Sequence, residues 1–405
     1  MSHLSSPIRK QLPVRATYMR GGTSKGVFLT LADLPLSIQR PGAQRDAFML
    51  RLTGSPDPYG KQIDGMGGAT SSTSKVVIIS PSSRTDCDVD YLFGAVSISS
   101  PVVDWSGNCG NLTSAVGPFA ILRGLVPAPE NGIATVRIWQ ANLGKIIIAH
   151  VPMRDGEIQE VGDFELDGVT FPAAEIKLEF LDPGADDDGS GASMFPTGNR
   201  IDALDIPGVG KIEATLINAG NPTIFIAASQ IGLEGTELQS DVNGDEALLA
   251  RCEAIRAHAT VAMGLASTPE EASTTRPHTP KLAFVAPPKS YIASSGKPVN
   301  ANDIDICARI LSMGALHHAM TGTGAVAIAV AAAIPGTIVA QASAKGRTDA
   351  IRFGHPSGTL SVGASAYEAD GQWQVTKAVM SRSSRRLMDG SVFVPEDALQ
   401  PSPSN

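Results

Sequence analysis

A chain of 405 residues is long enough for two domains, each with its own core. A net charge of −8 and a pI near 5.4 exclude the basic face of a nucleic-acid binder. Four widely spaced cysteines (Cys87, Cys109, Cys252, Cys307) without CxxC spacing argue against a zinc site or a disulfide scaffold.

Residues 1–12 read as a loose tail with no apolar run of the signal-peptide kind. Residues 14–19 read as a strand, 20–26 as a glycine-rich loop and 27–29 as a second strand. That loop is either a hairpin turn with solvated charges or an anion cradle helped by Arg20 and Lys25. Its spacing is not that of a P-loop. Residues 44–52 suggest a helix, 54–68 a shaped loop rich in Gly and Pro, and 76–79 a buried strand with Lys75 at its mouth. A lysine there is a snorkelling surface group or a desolvated amine of lowered pKa. Strands follow at 89–99, 134–140 and 145–151. Between the first two of these, Gly107-Asn108-Cys109-Gly110-Asn111 leads into a short helix over 112–120. A thiol at a helix N-terminus feels the positive end of the helix dipole, and an anion is welcome there for the same reason. The bland alternative is a buried structural cysteine.

The acidic stretch 182–191 reads as a linker, so the boundary falls at 188/189, with residues 373–405 packing back on the first domain. The second half repeats the order of the first. It has a strand (212–217), a glycine loop, a strand (224–227), a helix (245–263), a surface loop (267–280) and a strand opened by Lys281 (282–286). A helix is expected over 303–313, then a small-residue turn, Thr321-Gly322-Thr323-Gly324, before a helix over 325–334 that is apolar all round and so buried. That run is too short to span a bilayer, and reduced thiols suit a cytoplasmic protein. Strands are expected at 338–343, 350–353, 358–367 and 373–379. His317, His318 and His355 lack a carboxylate or thiol partner at metal-ligand spacing. His355 and Ser357, in a glycine turn, suggest carboxylate binding or a plain turn. Met320 reads as packing.

Several of these segments together resemble the PrpF family. They are Met19-Arg20-Gly21-Gly22-Thr23-Ser24-Lys25-Gly26, Asp64-Gly65-Met66-Gly67-Gly68, Ser74-Lys75, the Cys109 loop, Asn218-Ala219-Gly220-Asn221-Pro222-Thr223, residues 317–324 and Gly354-His355-Pro356-Ser357-Gly358. The family comprises 2-methylaconitate cis-trans isomerases of the methylcitrate route of propionate breakdown; its relatives include 4-oxalomesaconate tautomerases and aconitate delta-isomerases. The wider superfamily is similar to diaminopimelate epimerase. The resemblance implies an α+β fold of two pseudo-symmetric domains, 1–188 and 189–372, each a β-barrel-like sheet round a central buried helix, with the active site in the cleft between them. Epimerases of that superfamily use two cysteines; Cys109 matches the first and Thr321 stands where the second would be. In the PrpF family the partner is a lysine, and the resemblance implies Lys75, which occupies that position, as partner of Cys109 in acid/base catalysis. Substrate contacts are expected from Arg20, Ser24, Asn108, Gly110, Asn111, Lys281, Met320, Thr321, Gly322, Thr323, His355 and Ser357.

The expected substrate is a small unsaturated tricarboxylate, handled without metal, nucleotide or flavin. A functional link to an aconitase-like methylcitrate dehydratase and homo-oligomerisation are expected as partner relations. Two other classes remain open: a non-enzymatic accessory protein for an aconitase-like iron–sulfur enzyme, and an amino-acid racemase.

Overall fold

The computed structural model describes residues 10–184, 193–345, 348–369 and 371–399. Most of the acidic stretch and the expected boundary at 188/189 lie outside the described residues, as do residues 1–9 of the tail. The chain opens with β1 (Gln11–Gly21) and β2 (Ser24–Thr30), a hairpin that turns on Gly22 and Thr23. Gly22 has φ +50, which glycine adopts without a Cβ penalty, and a Cβ there would meet Asn111 Oδ1 at 2.5 Å. Helix α1 (Ala43–Thr53) follows where the pattern placed it. Then come β3 (Lys75–Pro81), β4 (Val89–Val96) and the two-residue β5 (Val103–Asp104). Helix α2 (Gly110–Leu122) starts directly after Cys109. Strands β6 (Gly132–Gln140), β7 (Lys145–Arg154), β8 (Glu157–Ile158) and β9 (Ile176–Leu181) complete this half.

The second half begins with β10 (Asp202–Ile206), β11 (Gly210–Ala219) and β12 (Asn221–Ala227). Helices α3 (Gln239–Asn243), α4 (Glu246–Ala262) and α5 (Pro269–Thr275) lead to β13 (Lys281–Ala286). A small pair, β14 (Tyr291–Ile292) and β15 (Pro298–Val299), precedes β16 (Ile306–Ser312) and β17 (Ala315–Leu316). Helices α6 (Gly322–Ala333) and α7 (Ile338–Ala342) follow. Strands β18 (Ala350–His355), β19 (Gly358–Ala369), β20 (Gln372–Arg382) and β21 (Ser384–Pro395) end the described chain.

Among the described residues nineteen strands form one sheet, and its pairings repeat. In the first half β1–β2 is antiparallel, β2–β3 parallel, β3–β4 antiparallel, β4–β6 parallel, and β6–β7 and β7–β9 antiparallel. In the second, β11–β12 is antiparallel, β12–β13 parallel, β13–β16 antiparallel, β16–β18 parallel, and β18–β19 and β19–β20 antiparallel. Each series gains one outer antiparallel strand, β21 on β1 and β10 on β11. An antiparallel β9–β20 pairing joins the two series. The C-terminal segment thus returns to both ends of the first half.

Each series wraps its own buried helix. Helix α2 packs on β1, β2, β6, β7 and β9, and α6 on β11, β12, β18, β19 and β20. Alternation along a strand sends neighbouring residues to opposite faces. Val77 and Ile79 of β3 join the core that contains both helices, whereas Val76 and Ile78 pack with Phe48 and Met49 of α1. On β13, Ala283 and Val285 face the same shared core, and Leu282 and Phe284 face the cluster that includes Cys252 and Ile255 of α4. Both strands are therefore apolar runs opened by a lysine.

Three sequence expectations differ from the structure. The expected helix over 303–313 is strand β16. Ile306, Ala308 and Ile310 face the shared core and Cys307 and Leu311 the outer one, so with the exception of the buried Arg309 both faces are apolar and the run shows no clear period to read. The expected strand over 338–343 is helix α7; Thr337 accepts a hydrogen bond from the Ala340 N–H at 3.1 Å and caps it despite the β-branched Ile338 and Val339. The expected surface loop over 267–280 contains α5, capped by Thr268, and its last residues, His278 and Thr279, are buried.

Candidate active site

Cys109 is the N-cap residue of α2, and Thr321 the N-cap of α6. Glycines at the first helical positions let the two termini abut: a Cβ on Gly110 would stand 2.7 Å from Gly322 C and 2.7 Å from Thr323 N. The opening N–H groups of each helix have no intrahelical acceptor, so two positive helix ends meet at one place. A small cavity lies there. The first half lines it with Ser24, Lys75, Asn108, Cys109, Gly110 and Asn111. The second half contributes His278, Lys281, Ser312, His317, Thr321, Gly322 and Thr323.

Hydrogen bonds between the halves hold this junction. Asn108 N–H donates to Asn221 Oδ1 at 2.9 Å, and Asn221 Nδ2 donates back to the Asn108 carbonyl at 3.0 Å. Asn111 Nδ2 donates to Thr23 Oγ1 at 2.9 Å and to the Met320 carbonyl at 3.1 Å. Its Oδ1 accepts from Arg382 Nε at 3.1 Å. The Cys109 thiol reaches Ser24 Oγ at 4.0 Å.

The two lysines occupy matching positions. Lys75 precedes Val76, the parallel partner of Val27, and so stands beside Gly26, two residues into β2. Lys281 pairs with Thr223, two residues into β12. Both side chains are buried. Lys75 Nζ lies 4.9 Å from the centre of the Phe93 ring, a cation–π contact. Lys281 Nζ is 3.0 Å from both His278 Nδ1 and Ser312 Oγ. Burial, then the charge of Lys75, push the Lys281 amine down to about 7.

His278 is fixed as a neutral ring. Its backbone N–H donates to Asp104 at 2.7 Å and its Nε2–H to the Asn108 carbonyl at 3.4 Å, leaving Nδ1 as the acceptor that faces Lys281. Burial, then Lys281, hold it well below the usual histidine value. His317 accepts the Ala319 N–H on Nδ1 at 3.0 Å, so its Nε2–H donates to Ser72 Oγ at 3.0 Å. The Ser72 hydroxyl in turn lies 3.3 Å from His318 Nδ1. Among the described residues no group of three or more His, Cys, Asp or Glu is placed to hold a metal ion.

Ten of the residues singled out in the sequence thus share one cavity: Ser24, Lys75, Asn108, Cys109, Gly110, Asn111, Lys281, Thr321, Gly322 and Thr323. Four do not line it. Arg20 lines a separate, more open cavity, and its guanidinium donates to the carbonyls of Gly22 at 3.1 Å and Ser383 at 3.0 Å. Met320 is buried and offers its backbone carbonyl to Asn111. His355 and Ser357 line neither cavity; they make the turn between β18 and β19, with Ser357 N–H donating to His355 Nδ1 at 3.2 Å and Ser357 Oγ to the His318 carbonyl at 2.6 Å. The sequence reading passed over His278, Ser312 and Asn221. The signal for Asn221 was its place in the second glycine loop, matching Ser24 in the first. His278 lay in a stretch read as a surface loop, and Ser312 in one read as a helix.

The fold is one that racemase- and epimerase-type isomerases share. A hydroxyproline epimerase of Agrobacterium vitis matches with a TM-score of 0.51 over 95% of this chain and 93% of its own, at 13% identity, a likeness of fold alone. The crystal structure of a methylitaconate-delta-isomerase matches with a TM-score of 0.72 at 38% identity, over 98% of this chain and 99% of that one. The model of the PrpF protein family matches residues 11–395, and the chain belongs to that family. A 2-methyl-aconitate isomerase of Shewanella oneidensis is 65% identical over 95% of this chain and 98% of its own length. Among the described residues no helix is long and apolar enough to cross a membrane.

Proposed function

We propose that this protein isomerises a small unsaturated tricarboxylate, 2-methylaconitate, between its cis and trans forms, by proton transfer between Lys75, Cys109 and the acid. The kinship with the Shewanella enzyme supports the substrate. The observation that carries the chemistry is one cavity lined by two lysines, one cysteine and two abutting helix N-termini. Its residues come from both pairing series. This supports reading the chain as two pseudo-symmetric domains, 1–188 and 189–372, with 373–405 packed back on the first and the site between them.

One of Lys75 and Cys109 removes a proton from the carbon next to the alkene. The electron pair delocalises through the former double bond onto a carboxylate, giving a dienolate. That bond then rotates, and the proton returns from the acid form of the pair. The growing carboxylate charge lies against the first N–H groups of α2 and α6, which are fixed before the reaction begins. Asn108, Asn111, Ser24, Thr321 and Thr323 supply neutral contacts, and ammonium Lys281 supplies the charged one. A proton returned to a different carbon would give a positional isomer instead, the outcome expected of a 4-oxalomesaconate tautomerase or an aconitate delta-isomerase.

Proton NMR of 2-methylaconitate with the enzyme in heavy water tests this reading. Wild type should interconvert the two forms and exchange the allylic hydrogens. Cys109→Ser and Lys75→Ala should each lose about 100-fold or more in kcat. Undiminished turnover in both variants excludes the assignment, and no turnover in wild type favours an accessory role.

A further inference from the structure

The glycine-rich hairpin of β1 and β2 carries two cations that the inner cavity does not use. Arg20 is the direct cross-strand partner of Lys25 on β2 and of Arg385 on β21. Directly opposed residues on neighbouring strands share a face, so Lys25, Arg20 and Arg385 form one row of three like charges. Such a row destabilises a sheet unless something offsets it. Among the described residues none of the three joins an ion pair, and Lys25 Nζ has only the Tyr18 ring, 5.6 Å from its centre, as a cation–π partner. The Arg20 guanidinium has only neutral oxygens, those of Gly22 and Ser383, as partners. Burial, then Arg385, lower it to about 10.

All three cations line this outer cavity, whose lining holds no carboxylate. Hydroxyl groups of Thr23, Ser24 and Ser72 line it as well. It adjoins the inner cavity through shared walls. Ser24 lines both. Ser72 lines the outer one and holds His317, which lines the inner one.

We propose that this outer cavity is a receiving site for small polycarboxylate anions, held by Lys25, Arg20 and Arg385 before they pass Ser24 into the inner cavity. The passage rests on the function proposed above; the anion site does not. Clustered cations in a cleft raise the local concentration of an anion and its rate of capture, and added salt removes the advantage.

The test uses the full chain and tricarballylate, a saturated tricarboxylate that cannot be isomerised. Calorimetric titration at low salt should show Arg385→Gln and Lys25→Gln each binding it about three- to ten-fold more weakly than wild type, with the difference fading at high salt. With 2-methylaconitate the same variants should lose in kcat/KM through KM. Arg385 is exposed, so its variant should keep the fold, which circular dichroism checks. Affinity and kcat/KM equal to wild type in both variants at low salt overturn the proposal. Titration needs no turnover, so it decides the anion site even if Cys109→Ser and Lys75→Ala have already excluded the assigned chemistry.

Discussion

Lys281 has two of its three ammonium hydrogens directed at His278 Nδ1 and Ser312 Oγ, each at 3.0 Å, which leaves one for an anion in the cavity. Its amine titrates at about 7 because burial and Lys75 both oppose the charge. Two consequences follow at this scale. First, kcat/KM reports the free enzyme, so its profile should fall above about pH 7 as Lys281 loses the proton that binds a carboxylate. In Lys281→Met that limb should be missing and the maximum lower. Second, below pH 7 both the folded and the unfolded chain hold the proton, and the cost of burying the ammonium is carried in full. Between about 7 and 10.5 the unfolded chain holds more protons than the folded one, so stability rises with pH through that window. Urea unfolding of the ligand-free protein at pH 7 and pH 9 should show the rise in wild type and lack it in Lys281→Met.

Cys109 and Lys75 were legible in the letters, one as a thiol among glycines before a helix, the other as a charge opening an apolar strand. His278 was not. Its loop reads as solvated, and only the tertiary bond from its backbone N–H to Asp104, a residue of β5, draws it into the interior.

At the scale of elements, the closest approach in the molecule that matters for function is that of the two helix starts. Replacing Gly110 by alanine puts a Cβ 2.7 Å from Gly322 C, a backbone atom that cannot rotate away. Gly110→Ala should therefore cost about 1–3 kcal/mol of stability. It should also lower kcat, because the two sets of N–H donors are forced apart. Chemical denaturation and steady-state kinetics on one preparation check both. Wild-type values in each would mean that the helix ends can separate freely. Both helices could be placed from composition, since small residues and apolar runs announce buried helices. Strand β16 could not. Apart from the buried Arg309 its core-facing residues are apolar on both faces, and only pairing with β13 and β18 tells an extended chain from a helix there.

Across the whole molecule, one pattern of strand pairings occurs twice and the C-terminal strands tie its two copies together. Burial of imidazoles accompanies this closure. His278, His317, His318 and His355 are all held below the usual value of 6.5, in each case first by burial, and His355 down to about 3. Between that value and 6.5 the unfolded chain takes up protons that the folded chain refuses, so stability falls as pH falls. The urea midpoint should drop steadily from pH 7.5 to pH 5, before carboxylates titrate in numbers. A flat midpoint over that range contradicts the assignment of four neutral rings, three buried and His318 half-buried.

The sequence by itself determined the local pieces: the glycine turns, the lysine-led strands, the capped small-residue helices and the order in which both halves repeat them. These follow from short-range rules of backbone freedom, periodicity and capping. Which of those pieces meet was decided by tertiary structure alone. Arg20 and Ser24 lie in one loop, yet only Ser24 lines the inner cavity, because alternate residues of a strand leave on opposite faces and the partner strands decide what each face meets. His355 sits between glycines, as Cys109 does, yet its turn closes a hairpin, because no helix begins there.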